Sequence, residues 1–399
     1  MKRFFTFFGL IFLSVAVAAQ TDDCPSFVYE SILQTNDVCQ ITGRNELCFG
    51  STAIAVEARD GVELVFAQPG DLTAVGDIQS IQTSPLNEST QEFGIAVMQV
   101  QANVPDALPG QMVTFMLMGD VAVNDSSGEG QPPMQAFQFR TGIGVPSCAE
   151  VNYDTLVVDS PDGLTITFNV NGIDVELGST AMFIGMPDNN IDMLVIEGEG
   201  QVTANGESVT VHEGNWTQIQ MDESGVNAAG TPAEPTPFLP ERIAHIPFGL
   251  LSSGQNVALG KPVTADASLA YEPPQRVVDG DVSGISNWIA GSEPPHWIEI
   301  DLLRDYPVSE IRLLTSQFPE EQLDATVHNI LVRGENETDY REVHVFAENT
   351  RDNQWLEFTP DTPILNVRYV RVETTSSPHW TSWGEIEVYS AGFVPDDEQ

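Results

Sequence analysis

From residue 53 onward the chain is a succession of short segments in which apolar residues alternate with polar ones. Turns that contain glycine or proline separate these segments, as at Gln68-Pro69-Gly70 and Leu108-Pro109-Gly110. A period of two places alternate side chains on one face of a strand, so the pattern is typical of half-buried strands. It therefore predicts an all-β protein, and the 41% of hydrophobic residues is enough for packed cores.

One segment before these strands has helical spacing. Residues 25–35 place apolar side chains three to four positions apart, and Pro25 suits a first helical turn. β-prone runs follow at residues 53–56, 62–66, 95–100 and 112–117. We expect a small N-terminal β domain with a short helix over residues 24–150.

All four cysteines, Cys24, Cys39, Cys48 and Cys148, lie in this first domain. An even number of cysteines in an exported chain is typical of disulfides, and three pairings are possible. We favour Cys24–Cys39, which would staple the helix, together with Cys48–Cys148, which would join the two ends of the domain. A metal site is the rival interpretation, but no C-x-x-C spacing or nearby histidine supports it.

The N-terminus has the features of a secretory signal peptide. Lys2 and Arg3 precede the apolar run from Phe4 to Val17, and Ala16-Val17-Ala18 has the small residues of a cleavage site. The run is shorter than the about 20 residues that a membrane-spanning helix needs. We expect a signal peptide over residues 1–19 and a mature chain that is secreted or lies on the exterior of the cell envelope.

The chain is strongly acidic, with a formal net charge of −43. Nucleic acids and anionic membrane surfaces would repel it, so neither is an expected partner. Metal cations, neutral sugars and basic partners remain compatible with this charge. The alternative interpretation is that the charge only keeps an exported protein dispersed.

A second β unit is predicted over residues 155–225. Its runs alternate apolar and polar residues and end at glycines, at residues 164–170, 173–177, 193–197, 201–204 and 208–211. Within it, Val195-Ile196-Glu197-Gly198-Glu199-Gly200-Gln201-Val202 followed by Val209-Thr210-Val211-His212-Glu213-Gly214-Asn215-Trp216 resembles the FecR-type domain. The resemblance implies an envelope domain that signals beside a membrane helix. Since no such helix is found in the sequence, the alternative is a β spacer that positions its neighbour.

Residues 230–255 have the composition of a linker. The stretch Gly230-Thr231-Pro232-Ala233-Glu234-Pro235-Thr236-Pro237 is rich in proline, and Ser252-Ser253-Gly254-Gln255 ends the segment. Proline-rich segments favour an extended, semi-rigid chain. We expect this segment to separate two folded units.

The last segment, residues 256–391, carries six characteristic phrases. They are Asn256-Val257-Ala258-Leu259-Gly260-Lys261-Pro262-Val263-Thr264-Ala265, Val278-Asp279-Gly280-Asp281 continuing to Trp288, Trp297-Ile298-Glu299-Ile300-Asp301-Leu302, Val308-Ser309-Glu310-Ile311-Arg312-Leu313, Arg368-Tyr369-Val370-Arg371-Val372 and Glu385-Ile386-Glu387-Val388-Tyr389. Their order resembles the discoidin family, the galactose-binding-like coagulation factor V/VIII type C domains. The resemblance implies a C-terminal jelly-roll β-sandwich, and from the residues themselves we expect Trp288 and Trp297 to lie in its core. The alternation of apolar and polar residues in these phrases agrees with a sandwich.

The discoidin resemblance implies a structural calcium site. The residues that match the family's ligands are Asp279, Asp281 and Glu385, with Ser283 or Ser286 as further oxygens. Calcium prefers six to eight oxygen ligands, so these residue types suit it. In the alternative, Asp279 and Gly280 only form a turn and Asp281 is solvated.

The resemblance also implies a ligand site on the loops at one end of the sandwich. Sugar-binding members often carry a histidine after the loop tryptophan and an arginine after the Ile-Arg-Leu strand. Here Ile289 follows Trp288, and the next arginine after Arg312 is Arg333. The remaining candidates are aromatic and polar residues that can hold a sugar ring, namely His296, Gln317, Glu320, Glu321, His379 and Trp380. In the alternative, Trp380 and Trp383 are packing residues, because tryptophan is usually well buried.

No catalytic motif stands out in the sequence. The patterns G-x-S-x-G, H-E-x-x-H, the P-loop and G-x-G-x-x-G after a strand are absent from it. We therefore predict a non-catalytic binding protein whose discoidin domain attaches to glycan or another cell-surface ligand. The alternative is an extracellular interaction or scaffold protein that docks a protein partner through its first two units, with a purely structural discoidin domain.

Overall fold

The computed structural model describes residues 26–87, 89–101, 108, 111–142, 154–160, 164–244, 246–317 and 324–394. The predicted signal peptide, Cys24, Cys148, Glu320 and Glu321 lie outside these residues. Within them the fold is mostly β, with one short N-terminal α-helix, which confirms the predicted fold class.

The first two thirds of the chain form helix α1 and strands β1 to β17. Their bounds are α1 Ser26–Cys39, β1 Glu46–Phe49, β2 Ile54–Ala58, β3 Leu72–Ala74, β4 Ile78–Thr83, β5 Ile95–Gln101, β6 Met112–Met118, β7 Val121–Asp125, β8 Ala136–Thr141, β9 Thr155–Asp159, β10 Ile166–Val170, β11 Ile173–Leu177, β12 Thr180–Met186, β13 Asn190–Val195, β14 Glu199–Ala204, β15 Glu207–His212, β16 Asn215–Gln220 and β17 Thr236–Pro237. Short 3₁₀ helices lie at Val75–Asp77, Pro240–Arg242 and Phe248–Ser252.

These strands form two sheets that share one hydrophobic core. Sheet I has the order β17-β16-β13-β12-β9-β6-β5-β1-β3, and sheet II has the order β15-β14-β11-β10-β8-β7-β4-β2. The alternation predicted from the sequence is seen in β11, where Ile173, Val175 and Leu177 are buried and the two acidic residues between them are exposed. By contrast, residues 62–66, predicted as a strand, form none, and Val65 there is exposed.

The two predicted N-terminal units are joined inside both sheets. In sheet I, β9 of the second unit pairs with β6 of the first, and in sheet II, β10 pairs with β8. One buried cluster extends from Leu47 to Met221. Residues 46–221 therefore form one sandwich, and the expected boundary near residues 150–155 does not separate two cores.

A disulfide joins Cys39, the last residue of α1, to Cys48 in β1. The predicted pairing of Cys39 with Cys24 and of Cys48 with Cys148 is therefore wrong. The chain turns back within nine residues after the helix, which brings the two Cα atoms to 5.8 Å. This separation suits a disulfide, and spacing along the sequence did not indicate it.

The predicted linker packs against sheet I. Its proline-rich part pairs with β16 as β17, and the residues that follow carry buried apolar side chains, including Ile246, Leu250 and Leu251. These side chains and α1 cover the outer face of sheet I. We call residues 238–251 the strap. The segment is therefore not a free spacer, because its second half has enough apolar surface to bury.

The C-terminal part forms strands β18 to β25. Their bounds are β18 Val263–Ala265, β19 Trp288–Ile289, β20 His296–Thr315, β21 Asp324–Arg333, β22 Arg341–Thr350, β23 Trp355–Phe358, β24 Ile364–Ser376 and β25 Ser382–Ser390, with a 3₁₀ helix at Pro274–Val278. They pair in the order β19-β25-β20-β24-β21-β22, and both β18 and β23 pair with β20. This is the jelly-roll-like sandwich that the sequence predicted.

The long strand β20 changes direction at Leu303, where φ is 72°. Its first half pairs with β18, whereas its second half pairs with β23 and β25. Trp288 is fully buried in the core, as predicted. Trp297 is only half-buried, and the guanidinium of Arg371 lies 4.2 Å from its ring centroid. Its predicted core position is thus wrong, because it lies on the outer side of β20.

Candidate functional site

A cleft of about 580 Å³ lies at one end of the C-terminal sandwich, where the loops flanking β19, β20, β22 and β25 meet. Its polar and aromatic lining includes Asn287, Glu293, Gln317, Asp352, His379 and Trp380. Three of the four ligand residues predicted from the sequence therefore lie together. The loops converge because β20 and β22 end, and β25 begins, at the same end of the sandwich.

Trp380 is the aromatic surface of this cleft. It lies in the loop just before β25, and 53% of its surface is exposed. Trp383, three residues later, is only 1% exposed and is paired in register with Trp288. The packing alternative is thus right for Trp383 and wrong for Trp380, because the strand that turns Trp383 inward begins at Ser382.

His379 and Gln317 are both held by neighbouring side chains. His379 Nε2 lies 2.5 Å from the Asp324 carboxylate. The Gln317 side-chain amide donates to Thr350 Oγ1 at 2.6 Å, and its backbone N–H donates to Asp352 Oδ1 at 2.6 Å. These contacts fix both residues at the cleft wall without a ligand.

His296 does not line the cleft. It is the first residue of β20, and its ring contacts Ser292 Oγ at 2.6 Å and the Asp266 carboxylate at 3.1 Å. Asp266 follows β18, which pairs with β20, so these contacts hold the histidine ring beside the end of β18.

The sequence did not single out Asn287, Glu293 and Asp352, which the structure places in the cleft. Asn287 directly precedes Trp288, the tryptophan of the family phrase. This position is the one feature of the local sequence that could have indicated it. Glu293 and Asp352 are two of 58 acidic residues, and only the meeting of distant loops distinguishes them.

The predicted calcium ligands lie in or beside the loop between the 3₁₀ helix at Pro274–Val278 and β19. Glu385 is fully buried in β25. Its Oε1 accepts a hydrogen bond from the Gly280 N–H at 3.1 Å, whereas its Oε2 has no partner in the protein. The pKa of Glu385 is raised to about 8, mainly by burial and in addition by the nearby Asp279 carboxylate, against the lowering effect of the Gly280 N–H.

Asp279 and Asp281 have different surroundings. Asp279 accepts hydrogen bonds from the Asp281 N–H at 2.9 Å and from Ser286 Oγ at 2.6 Å. Asp281 is exposed and caps the Ser283 N–H, and hydrogen bonds from Ser283 lower its pKa. The turn alternative therefore describes Asp281 well.

Glu385 and Asp279 fit a bound cation, since a buried carboxylate oxygen without a partner lies next to a second carboxylate. Asp281 does not join them. In the described part of the chain no three His, Cys, Asp or Glu side chains are grouped to hold a metal ion. Further oxygens would have to come from loop carbonyls or water, and calcium binding stays a prediction.

The model of the F5/8 type C domain family matches residues 262–388, which include every strand from β18 to β24 and most of β25. Residues 262–388 form an F5/8 type C domain. This confirms the discoidin resemblance. The F5/8 type C domain is a non-catalytic binding module. No comparison supports the FecR-type resemblance of the middle unit.

Several solved structures are similar to this part of the chain. A chitosan-binding module of a chitosanase/glucanase from Paenibacillus sp. IK-5 is 25% identical and covers 34% of this chain and 98% of its own, with a TM-score of 0.29. The family 32 carbohydrate-binding module of NanJ from C. perfringens, solved with galactose, is 17% identical over 33% of this chain and 94% of its own, also at 0.29. A fucose-binding module from Streptococcus pneumoniae is 21% identical over 34% and 98%, at 0.29. No curated protein matches the chain.

Among the described residues, none of the helices has the length and apolar character required to cross a membrane.

Proposed function

We propose that this chain is an exported glycan-binding protein without catalytic activity and that the cleft of its F5/8 type C domain holds the sugar. The observation that carries the proposal is the half-exposed Trp380 at a cleft that also has several polar side chains in its lining. Large exposed aromatic side chains in a polar cleft are a usual feature of ligand sites. The rest of the chain then serves as a support that presents this domain.

The chemistry of the cleft suits a sugar ring. The apolar face of a pyranose can pack on the indole of Trp380, while amide and carboxylate groups meet its hydroxyls. Because the cleft is open and has one stacking ring, we expect micromolar to millimolar dissociation constants, corresponding to about 4–8 kcal/mol. Nucleic acid and anionic membranes are not proposed partners, since the net charge of −43 repels them.

We also propose that calcium supports the loop from Asp279 to Ser286. The cation would bind Glu385 and Asp279, and it would supply positive charge to a buried carboxylate that has no basic partner. Its role would be structural, because Glu385 and Asp279 do not line the cleft.

The test is a Trp380→Ala substitution in the full chain. We expect it to lower glycan affinity about five- to thirtyfold, which corresponds to roughly 1–2 kcal/mol for the lost ring contact. The thermal unfolding transition should stay unchanged, because the side chain is half exposed. A glycan array on the parent would identify the ligand, and calorimetry would then compare the two proteins.

Tyr271→Ala is the matched control, since this aromatic side chain is 68% exposed in the same domain but does not line the cleft. It should bind glycan like the parent. If Trp380→Ala unfolds the domain, Trp380 is a packing residue and the site loses its anchor. If the folded parent binds no glycan on a broad array, docking of a protein partner becomes the better interpretation.

A further inference from the structure

The cleft already uses several of its own hydrogen-bond donors. The side-chain amide of Gln317 donates to Thr350, the Ser382 hydroxyl donates to the Ser316 carbonyl, and a ring nitrogen of His379 meets Asp324. A ligand therefore finds these donors engaged within the protein. The carboxylate of Glu293, in contrast, is exposed and open to a ligand.

Two carboxylates give the cleft its charge. Glu293 is exposed, and Asp352 is half-buried with its oxygens facing the Gln317 N–H and the Asn353 amide. No lysine or arginine is among the described residues that line the cleft. The site is thus acidic and rich in acceptors, and Trp380 offers an aromatic face beside these carboxylates.

We propose that the cleft selects a cationic amino sugar, meaning a glycan with free ammonium groups, over neutral N-acetylated and acidic sugars. This inference rests on the proposed function. An ammonium group donates three hydrogen bonds and accepts none, which suits a lining that carries carboxylate acceptors. It is attracted by Glu293 and Asp352, and a cation close to the indole face of Trp380 gains a further attraction. The carboxylates of sialic or uronic acids are repelled by Glu293 and Asp352.

The test compares two probes on the full chain by calorimetry at pH 5.5, where the amine is protonated. One probe is a β-1,4-linked trimer of glucosamine, and the other is the same trimer with every amine acetylated. We expect the glucosamine trimer to bind at least about fivefold more tightly, and its advantage to shrink as added salt shortens the screening length. Equal or tighter binding of the acetylated trimer would overturn the proposal.

The acidity of the whole chain requires a control for unspecific attraction. Glu293→Gln should weaken binding of the glucosamine trimer about two- to fivefold more than binding of the acetylated trimer, which is the range of an exposed ion pair. Glu342→Gln removes an exposed carboxylate of the same domain outside the cleft and should change neither. Equal effects of the two variants would mean that only net charge acts, which would contradict a selective cleft.

Trp380→Ala separates this proposal from the proposed function. It should abolish the preference for the glucosamine trimer, and a preserved preference would place that binding elsewhere on the chain. If a neutral glycan binds through Trp380 while the glucosamine trimer does not, the proposed function stands and the amino-sugar specificity is wrong. If no glycan binds at all, both fail.

Discussion

At the scale of single residues, the buried carboxyl group of Glu385 makes the stability of the F5/8 type C domain depend on pH and on bound cations. It is fully buried, and one oxygen has no partner in the protein. A buried charge without a counter-charge is costly, so the folded domain keeps this group protonated to a pH well above its ordinary pKa. A cation near Glu385 and Asp279 would reverse this preference.

We expect the calcium-free protein to lose stability as the pH rises from about 4.5 to about 8. In this window the folded Glu385 retains a proton that the unfolded chain has lost, so raising the pH favours unfolding. Calcium should raise the melting temperature, because it binds only the folded state. The increase should be largest at the upper end of the window, where Glu385 gives up its proton more readily. Thermal unfolding of the full chain at pH 5 and pH 8, with and without calcium, measures both effects.

Glu385→Gln is the control for this prediction. It should remove the pH dependence that Glu385 causes and the response to calcium, and Asp279→Ala should remove the calcium response. The pH dependence of the melting temperature must be compared between parent and variant, because titration of His328 changes the stability in the opposite direction. Burial lowers the pKa of His328 to about 4, so its contribution to stability is lost as the pH falls from 6.5 through 4. A parent whose melting temperature ignores calcium would leave Asp279 as a turn residue only.

At the scale of elements, the strap and α1 cover the outer face of sheet I. Leu250 and Leu251 of the strap are buried with Val28 and Ile32 of α1 against sheet residues such as Met116. The C-terminal residues join this layer, since the Phe393 N–H donates to Asn36 of α1 at 2.8 Å. A sheet face without this cover would expose apolar side chains to water.

Leu251→Ala should lower the free energy of unfolding by about 2–5 kcal/mol, since it removes a buried leucine side chain and leaves a cavity. Leu251 is 3% exposed, whereas Leu239 at the start of the strap is 70% exposed. Leu239→Ala should therefore change stability by less than about 0.5 kcal/mol. Chemical denaturation of the two variants measures the contrast, and similar small losses would show that the strap is not part of the core.

At the scale of the whole molecule, contacts join the N-terminal sandwich to the F5/8 type C domain. Arg304 of β20 forms two hydrogen bonds of 2.6 and 2.7 Å to the carboxylate of Glu197. Gln255 donates to Thr114 of β6 at 2.8 Å. The ion pair is partly exposed and adds little by itself, but together with the packed strap these contacts favour one fixed arrangement of the two parts.

We expect the native chain to resist trypsin at Arg242, although a proline-rich linker would be cleaved there quickly. Arg242 lies in the strap, where it pairs with Asp192 at 2.8 Å and its guanidinium lies 4.8 Å from the Trp216 ring centroid. Proteolysis requires the strap to detach, which exposes Leu250 and Leu251. Mass spectrometry of the fragments gives the rate at Arg242, and cleavage as fast as in a denatured sample would contradict a packed strap.

The sequence by itself determined the features that depend on local order. Alternation of apolar and polar residues predicted strands such as β5, β6, β10 and β11, helical spacing near residue 26 predicted α1, and the six phrases predicted the F5/8 type C domain. Each of these patterns spans only a few neighbouring residues, so it can be recognised without knowledge of distant contacts. The same reasoning placed Gln317, His379 and Trp380 at one ligand site, through the family's order of loops, and the structure brings the three into one cleft.

Only the tertiary structure decided which segments meet across long distances. It paired Cys39 with Cys48, joined two predicted units through β6 and β9, and packed the strap onto sheet I. It also exposed Trp380 while it buried Trp383, and it brought Glu293 and Asp352 into the cleft. The physical reason is that burial and pairing depend on which surfaces cover each other, and several arrangements of the same strands satisfy the same local pattern.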